Sequence, residues 1–266
     1  MSSLTACDWG TPALGWIPSK ALVPDNECYE AGVASASSKA KTKQSVDLQQ
    51  FCSPITDQDG MQSCVPSSLV GAAELLAIEH RKWKGALSRM FNYYAGRNSE
   101  RGEKFDCGVG VVSCIRSLVN GGTCLESLWP YDQERLFVKP NAKALADAKQ
   151  RKLAYCKRVK TLDGMRNALS NGHPVIAGAM IYSAFAYGDT AKTGAGHLPG
   201  PKEYLLGGHM LCIVGYSDAT KLFLVRNSWG RSWGKGGYCT MPYDYLAGTG
   251  VWLANDQYAI TGGGAY

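Results

Sequence analysis

Cys64, His209 and Asn227 are side chains of the types needed for nucleophilic catalysis, and their separations are ones a fold can close. Cys64 opens the stretch CVPSSLVGAAELLAIEHRKW (64–83), which reads as a helix. The N–H groups and positive dipole end of a helix N-terminus favour a thiolate. The thiolate, not the thiol, is the effective nucleophile near neutral pH. A lone cysteine serves structure more often than chemistry, so its partners decide. His209 starts the run HMLCIVGY, and Asn227 ends KLFLVRN. If the turn SDAT (217–220) closes these runs into a hairpin with Tyr216 facing Lys221, counting back sets His209 opposite Asn227 or Ser228. An amide or hydroxyl there would hold the imidazole in one tautomer and orientation. The plainer alternative is a satisfied histidine at a sheet end. Gln58 lies six residues before Cys64 in ITDQDGMQSC. Its amide, with the Cys64 N–H, is suited to donate to a developing oxyanion. Alone, a loop glutamine is ordinary polar surface.

Elements must hold these groups. Val65, Leu69, Ala72, Ala73 and Leu76 share one helical face of 64–83. Ser63 can cap its start, and Pro66 suits the first turn, where the missing N–H has no partner anyway. Further helices are expected at 85–95, at 109–119 before Asn120-Gly121-Gly122, and at 161–171 before Gly172. After His173-Pro174 the pattern turns to short runs rich in β-formers: PVIAGAMIY, HMLCIVGY, KLFLVRN, GYCTM and YAIT. Segregated helices and strands predict an α+β fold with two subdomains and a cleft between them. Residues 1–45 carry Pro12, Pro18 and Pro24, then AGVASASSKAKTKQS. They read as an extended arm and flexible link without a core of their own.

The 266 residues suffice for one large domain or two small ones sharing a cleft. With 45% hydrophobic and 19% charged residues, the chain is a folding sequence rather than a disordered one. No apolar run approaches the roughly 20 residues needed to span a bilayer. The first 18 residues lack a basic segment followed by an apolar stretch, so no signal peptide is expected. The net charge of +6 does not call for a polyanion partner. Nine Lys or Arg between 135 and 160 stand against Asp147 alone and read as a solvated face. No phosphate loop or aromatic interleaving accompanies them. Ten cysteines include no C-x-x-C pair, which argues against a zinc site. With Cys64 free, the other nine cannot all pair within one chain.

The order Gln58, Cys64, His209, Asn227, followed by NSWGRSWGKGGY (227–238), resembles the papain family of cysteine peptidases. That family places its histidine and asparagine about 130–150 residues beyond the cysteine. Here the separations are 209 − 64 = 145 and 227 − 64 = 163. The similarity runs from about 46 to 261 and is nearest a bacterial and viral branch. CLESLWPYD, PVIAG, GGHMLCIVGYSD and MPYDYL are similar there, and LGWIPSKALVPD (14–25) resembles the arm that precedes its peptidase. Four positions depart from the usual pattern. Met61 and Gln62 precede Ser63-Cys64 where the family has cysteine and glycine. Val65 replaces an aromatic residue. Asp59 stands where glycine usually follows the glutamine.

The resemblance implies a helical left subdomain (46–160), a β-barrel-like right subdomain (161–266) and a cleft between them. It implies peptide hydrolysis through Cys64, His209 and Asn227, with Gln58 at the oxyanion. Trp229 would shield the Asn–His pair, and Trp233 would floor the primed side. Gly178 and Met210 would border a pocket for a medium apolar residue, the second before the cut. Neither metal nor cofactor is required, the partner is a peptide or protein, and a monomer is expected, with no nucleic acid or membrane. The arm could lie along the cleft and block substrate, or serve as a brace. A papain-scaffold binding protein and a Cys-His acyltransferase are the competing functions.

Overall fold

Residues 64–81 form α1 (Cys64–Arg81), and its burial exceeds what one apolar face would require. The expected face is at most 1% exposed, and Val70, Leu75, Ser67 and Ser68 on other sides are buried too. The computed structural model describes residues 14–18, 28–29, 42–81, 83–247 and 253–263. The rest of the expected arm (1–13, 19–27 and 30–41) and Lys82 lie outside these residues. A helix buried on most sides must run between layers. α1 packs on α2 (Arg89–Ser99) and α3 (Val111–Asn120) on one side. On the other it meets a sheet containing β6 (Val175–Tyr182), β7 (Leu205–Ser217) and β10 (Leu253–Gly263).

Capping sets the helix boundaries. The Ser88 hydroxyl accepts from Phe91 N–H at 3.0 Å, so α2 starts at Arg89 rather than 85 and runs on to Ser99. α3 starts at Val111 rather than 109 because Val109–Gly110 forms β4, paired in parallel with β1 (Trp16–Ile17) from the arm. No local pattern announces that partner. α4 (Ala142–Ala148), capped by Asn141, and β5 (Leu153–Val159) occupy the basic stretch. Thr161 caps α5 (Leu162–Ser170) through a bond from Gly164 N–H at 3.0 Å.

The main sheet runs β2 (Cys28–Tyr29), β5, β10, β6, β7, β8 (Leu222–Arg226), β9 (Tyr238–Pro242), and β3 (Ser45–Asp47) also pairs with β7. Every pairing is antiparallel except β2 with β5. Two short helices, α6 (Ser183–Tyr187) and α7 (Asp189–Thr193), follow β6, and α8 (Tyr243–Ala247) follows β9. The result is a helical part against a largely antiparallel sheet, the α+β architecture expected.

The β7–β8 hairpin differs in register from the sequence expectation. Tyr216 pairs with Phe223, not Lys221, because the turn spans 218–221 and Lys221 takes a left-handed φ of 54°. A bulge between Ile213 and Gly215 then shifts the ladder by one residue. The Val214 carbonyl in that bulge accepts instead from Leu48 N–H at 2.8 Å. The turn thus displaces the ladder by two residues and the bulge takes one of them back.

A buried polar network ties α1 to the sheet. Glu74 accepts from Ser53 Oγ at 2.5 Å and Leu87 N–H at 2.7 Å, while Arg226 Nη2 donates to Ser53 Oγ and the Pro54 carbonyl. Glu74→Ala strands these buried donors beside an uncompensated guanidinium, so it should destabilise the fold by about 3 kcal/mol. A urea midpoint that falls at unchanged slope would verify this, and an unmoved midpoint would refute it.

Candidate active site

The catalytic candidates come from opposite sides of the interface between α1 and the sheet. Cys64 is the first residue of α1 and fully buried. The backbone amides of Met210, Gly15, Val65 and Cys64 itself bear on its sulfur and favour the thiolate. Met210 N–H places the thiol beside the residue next to His209. The opposing effect is larger: burial pushes the Cys64 pKa up to about 12.

His209 lies in β7 and is also fully buried. Its Nε2 is 2.8 Å from Asn227 Oδ1. The same oxygen accepts from Ser228 N–H at 2.9 Å, which fixes the amide orientation. An acceptor oxygen there requires the hydrogen on Nε2, leaving the neutral ring's lone pair on Nδ1. That Nδ1 is buried with no hydrogen-bond partner among the described residues. Burial lowers the His209 pKa to about 4, against the raising effect of the Asn227 bond. Burial thus favours the neutral thiol over the thiolate that the helix start alone predicted, and the neutral imidazole at His209.

Gln58 is fully buried in the loop before α1. Its Nε2 donates to the Met61 carbonyl at 2.9 Å, and its Oε1 accepts from Ser228 Oγ at 2.6 Å. Gln58 N–H also donates to the Ser228 carbonyl at 2.8 Å. Ser228 thus ties the Gln58 loop to the Asn227 loop. Sequence reading offered Ser228 only as an alternative neighbour of His209. The Ser63 hydroxyl, expected as a helix cap, is engaged by the Tyr131 hydroxyl. Asp59 adopts φ +50°, a left-handed conformation that glycine takes without strain. Aspartate tolerates it through the bond from its own N–H to Asp57 Oδ1 at 2.9 Å. Asp59→Gly should raise stability by about 1 kcal/mol, or ~2–4 °C in Tm. A drop in Tm would show that the Gln133 bond to Asp59 outweighs the strain.

The aromatic and subsite candidates fall into two groups. Trp229 stacks on His209 at 4.6 Å between ring centroids, and Phe185 of α6 sits edge-on to Trp229 at 5.5 Å. Trp233 completes this cluster, 4.8 Å from Phe185. Phe185 had no motif to reveal it. Gly178 and Met210 pair across β6 and β7. The Met210 side chain is fully buried and Gly178 faces the arm.

The arm runs directly over the nucleophile. A β-carbon on Gly15 would overlap the Gln62 carbonyl, and one on Gly108 would overlap the Gly15 carbonyl, so only glycines permit this approach. The Gly15 carbonyl accepts from Val109 N–H at 2.9 Å. Trp16, 4% exposed, lies between Gly178 and Gly208, and its Nε1 donates to Asp256 Oδ2 at 3.0 Å. Leu14 packs against Gly207 and is buried as well. Leu14 and Trp16 of the arm therefore pack into the main core. Cys107 is disulfide-bonded.

This set of groups suits acyl transfer by a cysteine nucleophile. Residues 42–251 match the papain family cysteine protease family. A peptidase C1-like protein of Acanthamoeba polyphaga mimivirus is 34% identical over 225 residues, covering 81% of this chain and 71% of that protein. The crystal structure of xylellain, a cysteine protease from Xylella fastidiosa, superposes with a TM-score of 0.81 at 28% identity, covering 94% of this chain and 96% of that one. Bromelain from Ananas comosus, solved with the inhibitor E64, shares the fold at 19% identity and TM-score 0.62, over 81% of this chain and 97% of its own. The chain belongs to the papain family of cysteine proteases.

Proposed function

We propose that this chain is a cysteine endopeptidase acting through Cys64, His209 and Asn227, and that its N-terminal arm holds it latent. The observation that carries the reading is the His209–Asn227 pair. The second ring nitrogen of His209 is buried with no partner among the described residues, and the amide of the next residue, Met210, bears on the Cys64 sulfur. With the arm displaced and water readmitted, His209 Nδ1 takes the Cys64 proton and the thiolate attacks the scissile carbonyl. The Cys64 N–H and the Gln58 amide stabilise the oxyanion. His209 then gives its proton to the leaving amine and later draws one from water to release the acyl group. Asn227 keeps the ring oriented, and Trp229 keeps water from that hydrogen bond. Gly178 and Met210 belong to the subsite before the cut, and Trp233 to the far side. Residues 46–160 and 161–266 contribute the two walls of the cleft.

The test is mass spectrometry of the full-length protein after incubation with an irreversible epoxide probe. A single adduct mapped to Cys64 is the expected result. Labelling spread over several cysteines, or absent from Cys64 even when Trp16 is replaced, would favour the binding-protein reading. Product analysis with an added amine acceptor separates hydrolysis from acyl transfer to amines.

A further inference from the structure

The loop that carries both oxyanion donors is strapped from outside by a distant segment of chain. Gln58 and Cys64 stand at the two ends of that loop. Two donors serve one oxyanion only if their separation is held fixed. Inside the loop, Met61 N–H donates to the Gln58 carbonyl at 3.1 Å and Ser63 N–H to the Met61 carbonyl at 2.8 Å. These bonds fold the loop on itself. Tyr131, from the segment CLESLWPYD, reaches both of its ends. The phenol donates to the Gln58 carbonyl at 2.9 Å and meets the Ser63 hydroxyl. A phenol has one hydrogen, so with that hydrogen on Gln58 the serine is the donor in the second bond. One oxygen thus fixes the residue that carries the amide donor and the residue peptide-bonded to the Cys64 N–H.

Tyr131 is itself held. Its N–H donates to Glu126 Oε1 at 2.7 Å, and the Arg89 guanidinium lies over its ring, 3.9 Å from the centroid. Arg89 Nη1 also donates to the Asp57 carbonyl at 3.2 Å. Two residues beyond Tyr131, Gln133 Nε2 donates to Asp59 Oδ2 at 2.9 Å. The segment 131–133 therefore grips the loop at Gln58, Asp59 and Ser63, and Asp59 is where this chain departs from the usual glycine.

We propose that Tyr131 is a positioning residue that sets the spacing of the two oxyanion donors through the bonds of its hydroxyl to Gln58 and Ser63. This rests on the peptidase reading above. The bonds of Tyr131 go to Gln58, Ser63 and Glu126 and none to Cys64 or His209, so it acts through the loop and not on the reacting atoms. Removing its oxygen leaves the fully buried Ser63 hydroxyl without that acceptor. The loop then relaxes toward other partners. A displacement of about 1 Å at a catalytic group can cost on the order of a hundredfold in rate.

The test uses full-length Trp16→Ala protein as the parent, with reactive sites counted by the mass of the Cys64 adduct. Tyr131→Phe in that parent keeps the ring and its Arg89 contact and removes only the oxygen. On a fluorogenic peptide amide, kcat should fall about tenfold to a hundredfold, with KM unchanged within about twofold. Alkylation of Cys64 by iodoacetamide forms no tetrahedral oxyanion, so its rate should stay within about twofold of the parent. Alkylation that falls as far as kcat would mean a general disturbance of the nucleophile or the fold, and overturns the inference. An unchanged kcat overturns it too. A second arm measures coupling. In Gln58→Ala most of the Tyr131→Phe effect should vanish, because the donor that Tyr131 positions is gone. In Asn227→Ala the effect should persist in full. Equal costs in both backgrounds overturn the inference. A parent that hydrolyses no peptide ends the peptidase reading and this inference with it, whereas an active parent indifferent to Tyr131→Phe ends this inference alone.

Discussion

In the full-length chain, Trp16→Ala raises the rate of Cys64 alkylation by about 10²–10³-fold. Trp16 is 4% exposed and packs into a slot made for it. Truncating a buried tryptophan removes about 3–5 kcal/mol, and each ~1.4 kcal/mol is a tenfold change in the open population. The arm keeps its other anchors, among them Gly15 against Val109, so opening remains an equilibrium. Protonation should act on the same equilibrium. Burial lowers the His209 pKa to about 4, so, taking the ordinary 6.5 for the ring once opened, the closed form is favoured above pH 6.5 and loses that advantage as pH falls toward 4. Burial raises the Cys64 pKa to about 12, so, taking the ordinary 9 for the opened thiol, this contribution is complete below pH 9 and disappears as pH rises toward 12. The arm is therefore tightest between pH 6.5 and 9. Taking wild type from pH 7 to 5 should increase opening by at most ~30-fold, the equivalent of about 1.5 pH units of differential proton binding. Dividing by the Trp16→Ala rate at each pH removes the titration of the open thiol. Equal labelling of wild type and Trp16→Ala at pH 7 would make the arm a brace rather than a block.

The second large effect separates the nucleophile from its supports. On the opened chain, Cys64→Ala leaves no turnover above background, a loss of about 10⁶ in kcat if it resembles removal of other catalytic nucleophiles. Gln58→Ala loses only about 10²–10³, the usual worth of one oxyanion donor, because the Cys64 N–H remains. Initial rates on one peptide substrate, corrected for folded fraction, distinguish the two. Full activity in Cys64→Ala would end the assignment. A Gln58→Ala loss as deep as that of Cys64→Ala would mean that Ser228, which holds Gln58 at 2.6 Å, depends on it to keep the Asn227 loop in place.

Much of this was legible from residue order because it depends on local chemistry. Apolar spacing placed α1, and β-forming runs placed β6, β7 and β8. The His209–Asn227 contact came from counting along a hairpin, and it survived although both the turn and the bulge were misplaced. The turn displaced the ladder by two residues and the bulge took one back, so the His209–Asn227 contact forms despite a net offset of one residue. Helix starts at 85 and 109 were misread because Ser88 supplies a cap and because β4 has a partner far away in the chain.

What the sequence by itself determined is the set of chemical groups, their order and the helical or extended character of the segments that carry them. These follow from side-chain type and short-range periodicity, which any stretch of chain carries with it. Only the tertiary structure decided the protonation state of the site, the path of the arm and the acidic end of the Trp16 slot. Those depend on desolvation and on contacts between residues as far apart as 16 and 256. Burial turns an expected thiolate into a neutral thiol, and an irregular register in β10 brings Asp256 to the Trp16 indole. Neither effect leaves a mark on the residues adjacent in sequence.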